Sequence, residues 1–273
     1  MKIWELKSDV KSRMLTIDHN KGITINHPFY EIFDGSSKLQ AWDVCYVTNY
    51  RKGRYTDFPS FRLGIPVFSR KTLDILGPYI NNYVEFLPLV HEEMDFFAVN
   101  VINVIDCVDR QRSKVKTLIS TGDSLGYEKI VFSSEKIPEH TLIFKVNGSL
   151  GIYVTDHFIE LVNLHKLKGF KFIEVWNSEI TDEMELEKQK QYKDMLDSIE
   201  KNKGLECTYD EAMEVIQSGK AVASGKWKMQ RDDRGRLWLG QLGEDCKYHW
   251  LMPVYIPPVL LGYMWHEVER SSI

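Results

Sequence analysis

The stretch from Phe96 to Ile105 constrains the fold most. Phe96, Phe97, Val99, Val101, Ile102, Val104 and Ile105 form a β-rich run that is apolar on both alternating faces. A strand of that kind leaves no face for water and belongs inside a sheet, not at its edge. A short helix is expected upstream. Ser69 can cap its first turn, Leu73 and Leu76 give it an apolar side, and Gly77-Pro78 would end it. The same region has a sharp charge boundary. Glu85, Glu92, Glu93, Asp95, Asp106 and Asp109 occur with no Lys or Arg among them, and Arg110, Arg112, Lys114 and Lys116 follow at once.

At 273 residues the chain can form one large domain or two smaller ones. A net charge of −4 is too mild to point to nucleic-acid or membrane binding. Cys45, Cys107, Cys207 and Cys246 make no C-x-x-C pair and no zinc spacing, which fits a reducing compartment. The opening MKIWELKSDVKSR has no apolar run of signal-peptide length, and no segment reaches the roughly 20 apolar residues of a membrane span. The expectation is a soluble, cytoplasmic protein.

Strands are expected at 2–6, 23–25, 42–48, 130–132, 142–146 and 170–176, with 150–154 pairing back on 142–146 across the Asn147-Gly148-Ser149 turn. Asn26-His27-Pro28 reads as another turn. Residues 49–60, NYRKGRYTDFPS, read as a loop, and its basic residues among tyrosines as a solvated surface. A helix opens at Thr155-Asp156, with Phe158, Leu161, Val162 and His165 on one face and His165 at the edge of the core.

Several of these elements carry a resemblance. Asp57-Phe58-Pro59, Pro66-Val67 with Ser69, Glu85 with Leu87-Pro88, Asn100, Asp106 with Asp109, Ser113, Phe144 and Gly169-Phe170 through Trp176 resemble immunity family eleven, the immunity-protein family of bacterial polymorphic toxin systems. The resemblance covers about residues 40–178. It implies a small protein that binds and occludes a toxin domain, and it implies no enzymatic activity.

Residues 182–203 read as a polar helix with Tyr192, Met195, Leu196 and Ile199 as its apolar stripe. After it, Thr208-Tyr209-Asp210-Glu211 has capping-box spacing, and Trp227 to Gly240 reads as a hairpin turning at 232–235. The order of TYDEAMEVIQSGKAV, Trp227 and LLGYMWHEVE resembles a small phage and bacterial domain that includes Thoeris anti-defence proteins, which sequester cyclic ADP-ribose-type signals. Two steps depart from that pattern. Ala223-Ser224-Gly225-Lys226 replaces an arginine-rich step, and Met264-Trp265 replaces Asp-Trp.

The expected architecture is α+β. A mixed or antiparallel sheet domain with packed helices fills 1–178, a connector helix spans 179–204, and a small α+β module spans 205–273. The leading functional expectation is a non-enzymatic immunity protein whose partner is a cognate toxin. Glu85, Glu92, Glu93, Asp106 and Asp109 are the candidate toxin-binding residues, because a matching acidic surface steers a basic partner. The alternative is a small, nucleotide-like ligand held by Lys226, Trp227 and Trp250, against which stands the reading of the tryptophans as core. A metal-dependent hydrolase built on Asp106 and Asp109 is the third reading, and a salt-bridged loop is its plainer counterpart. No cofactor, membrane or direct nucleic-acid partner is expected, and Gly122 to Gly126 reads as a turn with no phosphate to cradle.

Overall fold

The computed structural model describes residues 1–21, 27–62, 64–117 and 124–273. The fold is α+β, and it divides into two compact units, 1–179 and 180–273. No helix among the described residues is long and apolar enough to cross a membrane.

The first unit contains β1 (Lys2–Ser8), β2 (Ser12–Ile17), β3 (Cys45–Arg51), β4 (Tyr55–Ser60), β5 (Val67–Ser69), α1 (Arg70–Ile80), β6 (Val84–Val90), β7 (Phe96–Val101), β8 (Lys114–Thr117), β9 (Ser124–Lys129), β10 (Ile143–Phe144), β11 (Tyr153–Thr155), α2 (Asp156–Leu164) and β12 (Phe170–Asn177). A mixed six-stranded sheet runs β4-β2-β3-β6-β7-β5, a four-stranded antiparallel sheet runs β10-β11-β1-β12, and β8 pairs with β9. All six residues of β7 are buried between β6 and β5. The period of two divides them: Val99 and Val101 pack into a cluster with Phe68, Leu76, Phe158 and Val162, while Phe96 and Ala98 pack with Phe29, Leu87 and Leu89. The four-stranded sheet is split in the same way. Ile143, Val154 and Leu6 face the first cluster, and Phe144, Tyr153 and Ile3 face a third with Phe132 and Cys107.

Local differences from the sequence expectations have identifiable causes. Helix α1 is capped by the Ser69 hydroxyl, which accepts from the Thr72 amide, but it runs past Gly77-Pro78 to Ile80. Pro78 sits in the last turn, where it forgoes its own amide bond, and the helix still closes through the Asn81 amide, which donates to the Gly77 carbonyl at 2.9 Å. The apolar run leaves the strand after Val101, and Val104 makes only an isolated bridge to Lys145. The expected strand at 42–48 is β3 at 45–51. Residues 49–60 are not a loop, because β3 continues to Arg51 and β4 follows after a short turn. Gly53 makes that turn possible, since a Cβ there would overlap the Ser12 and Arg13 backbone at 2.2 Å. Residues 130–132 form one bridge, Val108 to Phe132, and the strand of that region is β9. Only Ile143 and Phe144 of 142–146 are strand, paired with Val154 and Tyr153. His165 is an exposed C-cap, one turn beyond the buried Phe158 and Val162. The strand expected at 23–25, Asn26 of the expected turn, and Gly122-Asp123 lie outside the described residues; His27 caps a short 3-10 turn, and Ser124 to Gly126 open β9.

The second unit contains α3 (Asp182–Lys201), β13 (Glu206–Cys207), α4 (Tyr209–Gln217), β14 (Ala221–Ser224), β15 (Trp227–Arg231), β16 (Leu237–Leu242), β17 (Tyr248–Leu251), α5 (Pro258–Leu261) and β18 (Trp265–Val268). Its antiparallel sheet runs β13-β18-β14-β15-β16-β17. The capping box at α4 is complete: the Thr208 hydroxyl accepts from the Glu211 amide, and the Glu211 carboxylate accepts from the Thr208 amide. Ala212 and Ile216 of that helix bury against Val222, Met229, Leu239, Leu260 and Trp265.

Candidate partner-binding surface

Glu85 is half-buried near the start of β6, opposite Asn100 of β7. Its carboxylate accepts from the Lys38 amide at 2.8 Å, from Asn100 Nδ2 at 2.9 Å and from the Ser37 hydroxyl. Burial alone would raise its pKa, but these hydrogen bonds outweigh burial and hold the carboxyl below its ordinary value. Asn100 Nδ2 also donates to the Ser36 carbonyl at 2.8 Å. The pair therefore pins the 33–38 loop onto the sheet. The buried Lys145 does the same from the other side, donating to the Phe33 carbonyl; burial pushes its pKa down to about 8 against the opposing pull of Asp34.

Glu92 and Glu93 lie in the turn between β6 and β7, separated from Glu85 by most of a strand, on the order of 20 Å. Glu93 meets Arg13 at 2.9 Å and Lys52 at 4.0 Å, Glu92 meets Lys21 at 3.5 Å, and Asp95 meets Arg70 at 3.5 Å. The Arg13 hydrogen bond holds the Glu93 carboxyl below its usual value. His91 keeps this turn in shape: its Nδ1 accepts from the Glu93 amide at 3.1 Å, and burial followed by the Arg13 charge lowers its pKa. This surface is a mosaic of both signs. Sequence showed the run of carboxylates but not the cations that long-range folding brings to them.

Asp106 and Asp109 lie past the end of β7. Asp106 is exposed beside Arg110 at 3.3 Å, and Asp109 accepts from the amides of Gln111 and Arg112. No three metal-ligating side chains come together among the described residues. Glu92 and Glu93 are together only as sequence neighbours, and Glu85 sits roughly 20 Å from them along β6.

The other residues behind the resemblance are internal joints. Asp57 of β4 is buried, and it accepts from the Lys168 amide at 2.9 Å and from Lys71 Nζ at 3.0 Å. Phe58 stacks on Phe170 with centroids 4.5 Å apart. Gly169 has φ +91°, and a Cβ there would stand 2.7 Å from Ser12 Oγ and 3.0 Å from the Phe58 carbonyl. The Ser113 hydroxyl accepts from the Val131 amide at 2.9 Å. Residues 46–177 match the Immunity protein family (Imm11). The Imm11 match lies wholly in the first unit, from within β3 to the end of β12. The strands β1 and β2 precede it, yet each is interior to one of the sheets that the Imm11 segment forms. No curated protein matches the chain.

In the second unit, Lys226 forms the β14–β15 turn with Gly225, and its Nζ lies 5.7 Å from the Trp227 ring centre. Both line an open cleft of about 450 Å³ with Glu200, Glu206, Tyr263 and Met264. Trp250 is not part of it. Trp227 pairs with Gln241 and thence His249, whereas Trp250 pairs with Gly240 and thence Lys228. With a side-chain period of two, Trp227 and Trp250 project from opposite faces of the sheet. Trp250 lies over Gly240, where an added Cβ would meet its ring at 2.8 Å. Trp265 is fully buried, and Trp238 donates to Asp232 at 3.1 Å in the hairpin turn.

Proposed function

We propose that the chain is a cytoplasmic, non-enzymatic immunity protein that binds a cognate toxin domain and neutralises it by occlusion. The Imm11 match over 46–177 carries this reading. The first unit supports it by the division of labour among its polar residues. Asp57, Glu85, Asn100 and Ser113 are spent on joints, while Glu92, Glu93 and Asp106 are exposed and able to meet a partner. In this proposal Glu92, Glu93 and Asp106 contact the toxin, Asp109 shapes the turn beside Asp106, and Glu85 serves only to hold the 33–38 loop on the sheet. Ion pairs on such a rim act more on association rate and specificity than on raw affinity.

The test starts from the tagged full-length chain used to capture its partner from the native host. The captured polypeptide, expressed alone, should arrest growth of a host that lacks this chain, and co-expression of the chain should restore growth. A stoichiometric partner that is harmless, or whose toxicity the chain fails to relieve, refutes the reading.

A second reading rests on the cleft at Lys226 and Trp227, which has a cation and an aromatic face suited to a nucleotide-like ligand. It predicts saturable thermal stabilisation of the full chain by a cyclic nucleotide, abolished in Trp227→Ala. Absence of any shift across a panel of such nucleotides would remove it.

A further inference from the structure

From Tyr248 to His266 the chain contains no Asp, Glu, Lys or Arg, although 27% of the whole sequence is charged. Many of the apolar side chains of this stretch stay outside the core. Leu251, Met252, Tyr255, Val259 and Met264 are exposed, and Val254 is 99% exposed. The segment is nonetheless firmly seated. Leu260 and Trp265 are fully buried, the Trp265 indole donates to the Leu260 carbonyl at 3.3 Å, and Pro253, Pro257 and Pro258 restrict the backbone ahead of Leu260. A run of exposed apolar side chains so close in sequence marks an interaction site.

Charge selects the occupant. Residues 1–179 contain 22 carboxylates and 22 lysines and arginines, whereas residues 180–273 contain 17 and 13, so the net charge of −4 belongs entirely to the second unit. Two carboxylates adjoin the strip directly: Glu200 and Glu206 line the cleft together with Lys226, Tyr263 and Met264, and both meet Lys203, at 3.2 and 2.9 Å. Asp245, beside His249 at 3.0 Å, stands at the strip's other end. A second copy would bring a like-charged unit against this one, while a basic protein face would be attracted to it.

We propose that the strip from Leu251 to Met264 is the principal docking surface for the protein partner, taking an apolar patch rimmed by lysines and arginines on the toxin domain. This rests on the immunity reading, to which it adds the surface and the chemistry of the partner. Tyr255 and Val254 are the central anchors.

The experiment uses the full-length chain and the toxin captured with it, with binding followed by surface plasmon resonance. Val254→Asp and Tyr255→Ala, both at exposed positions, should keep the wild-type melting temperature and weaken binding at least 100-fold, while Glu92→Lys with Glu93→Lys changes it less than 10-fold. The wild-type association rate should fall several-fold between 50 and 300 mM salt. Unchanged affinity in the strip variants, or an association rate that does not fall with salt, overturns the proposal. So does a wild-type dimer in sedimentation that Val254→Asp splits, which would make the occupant a second copy. A Val254→Cys thiol that maleimide cannot reach in the free monomer would place the first unit on the strip and overturn it equally. If the host yields no toxin at all, the immunity reading itself fails, an outcome distinct from a toxin that binds elsewhere.

Discussion

Asp57→Ala tests how the first unit is held together. Asp57 is 8% exposed, and its carboxylate serves two donors, the Lys71 ammonium on α1 and the Lys168 amide in the turn after α2. They are unequal. The Lys71 side chain is 56% exposed, so its ion pair contributes at most about 1 kcal/mol. The Lys168 amide loses a charged acceptor, worth about 1.5–3 kcal/mol. Asp57→Ala should therefore destabilise the first unit by about 2–4 kcal/mol and Lys71→Ala by less than about 1 kcal/mol. Asp57→Asn, which keeps an acceptor for the amide, should fall between them. Urea denaturation read by hydrogen exchange on peptides from 1–179 isolates this unit, and with a slope of about 2–3 kcal/mol/M the Asp57→Ala midpoint should drop by about 1 M. Equal losses in Lys71→Ala and Asp57→Ala would show that the ion pair and not the amide carries the joint, and refute the reasoning.

Lys145 has a folded pKa of about 8 against an ordinary value near 10.5, so the unfolded state binds the extra proton between those limits and stability contributed by this group rises with pH across them. Wild type should gain about 2 kcal/mol relative to Lys145→Met between pH 7 and pH 10, measured by chemical denaturation; a constant difference would mean that the ammonium is not desolvated. Gly169→Ala forces a Cβ toward Ser12 and the Phe58 carbonyl at a left-handed position and should destabilise the first unit by about 1–3 kcal/mol, read from the same urea curves. Thr208→Ala removes the cap of α4 and should lower the stability of the second unit alone by about 1 kcal/mol, visible as lost exchange protection within 180–273 and not within 1–179.

The sequence was most readable where local chemistry and burial agree. The apolar run at 96–101, the Ser69 cap, the Thr208 capping box and the 227–242 hairpin all follow from spacing, and so does the α+β class. Residues 49–60 were opaque because β4 pairs in parallel with β2, a partner some forty residues back, and because Phe58 is buried by stacking on Phe170. The acidic run was visible, but Arg13, Lys21, Lys52 and Arg70 reach it only through tertiary structure, so a string of carboxylates became a balanced surface. Trp227 and Trp250 looked like one platform on composition, and only the β15–β16–β17 register separates them. The exposed strip was readable as a gap in charge, but its exposure depends on Leu260 and Trp265 taking the core positions.

The internal use of Asp57, Glu85, Asn100, Ser113 and Gly169 separates what keeps the chain folded from what it shows to others. None of these joints needs a particular residue at the tip of the β6–β7 turn or along 251–264. The positions that face outward are free to be rewritten, singly or together, without renegotiating the architecture beneath them. A change of partner can be met at the surface while the scaffold stays as it is.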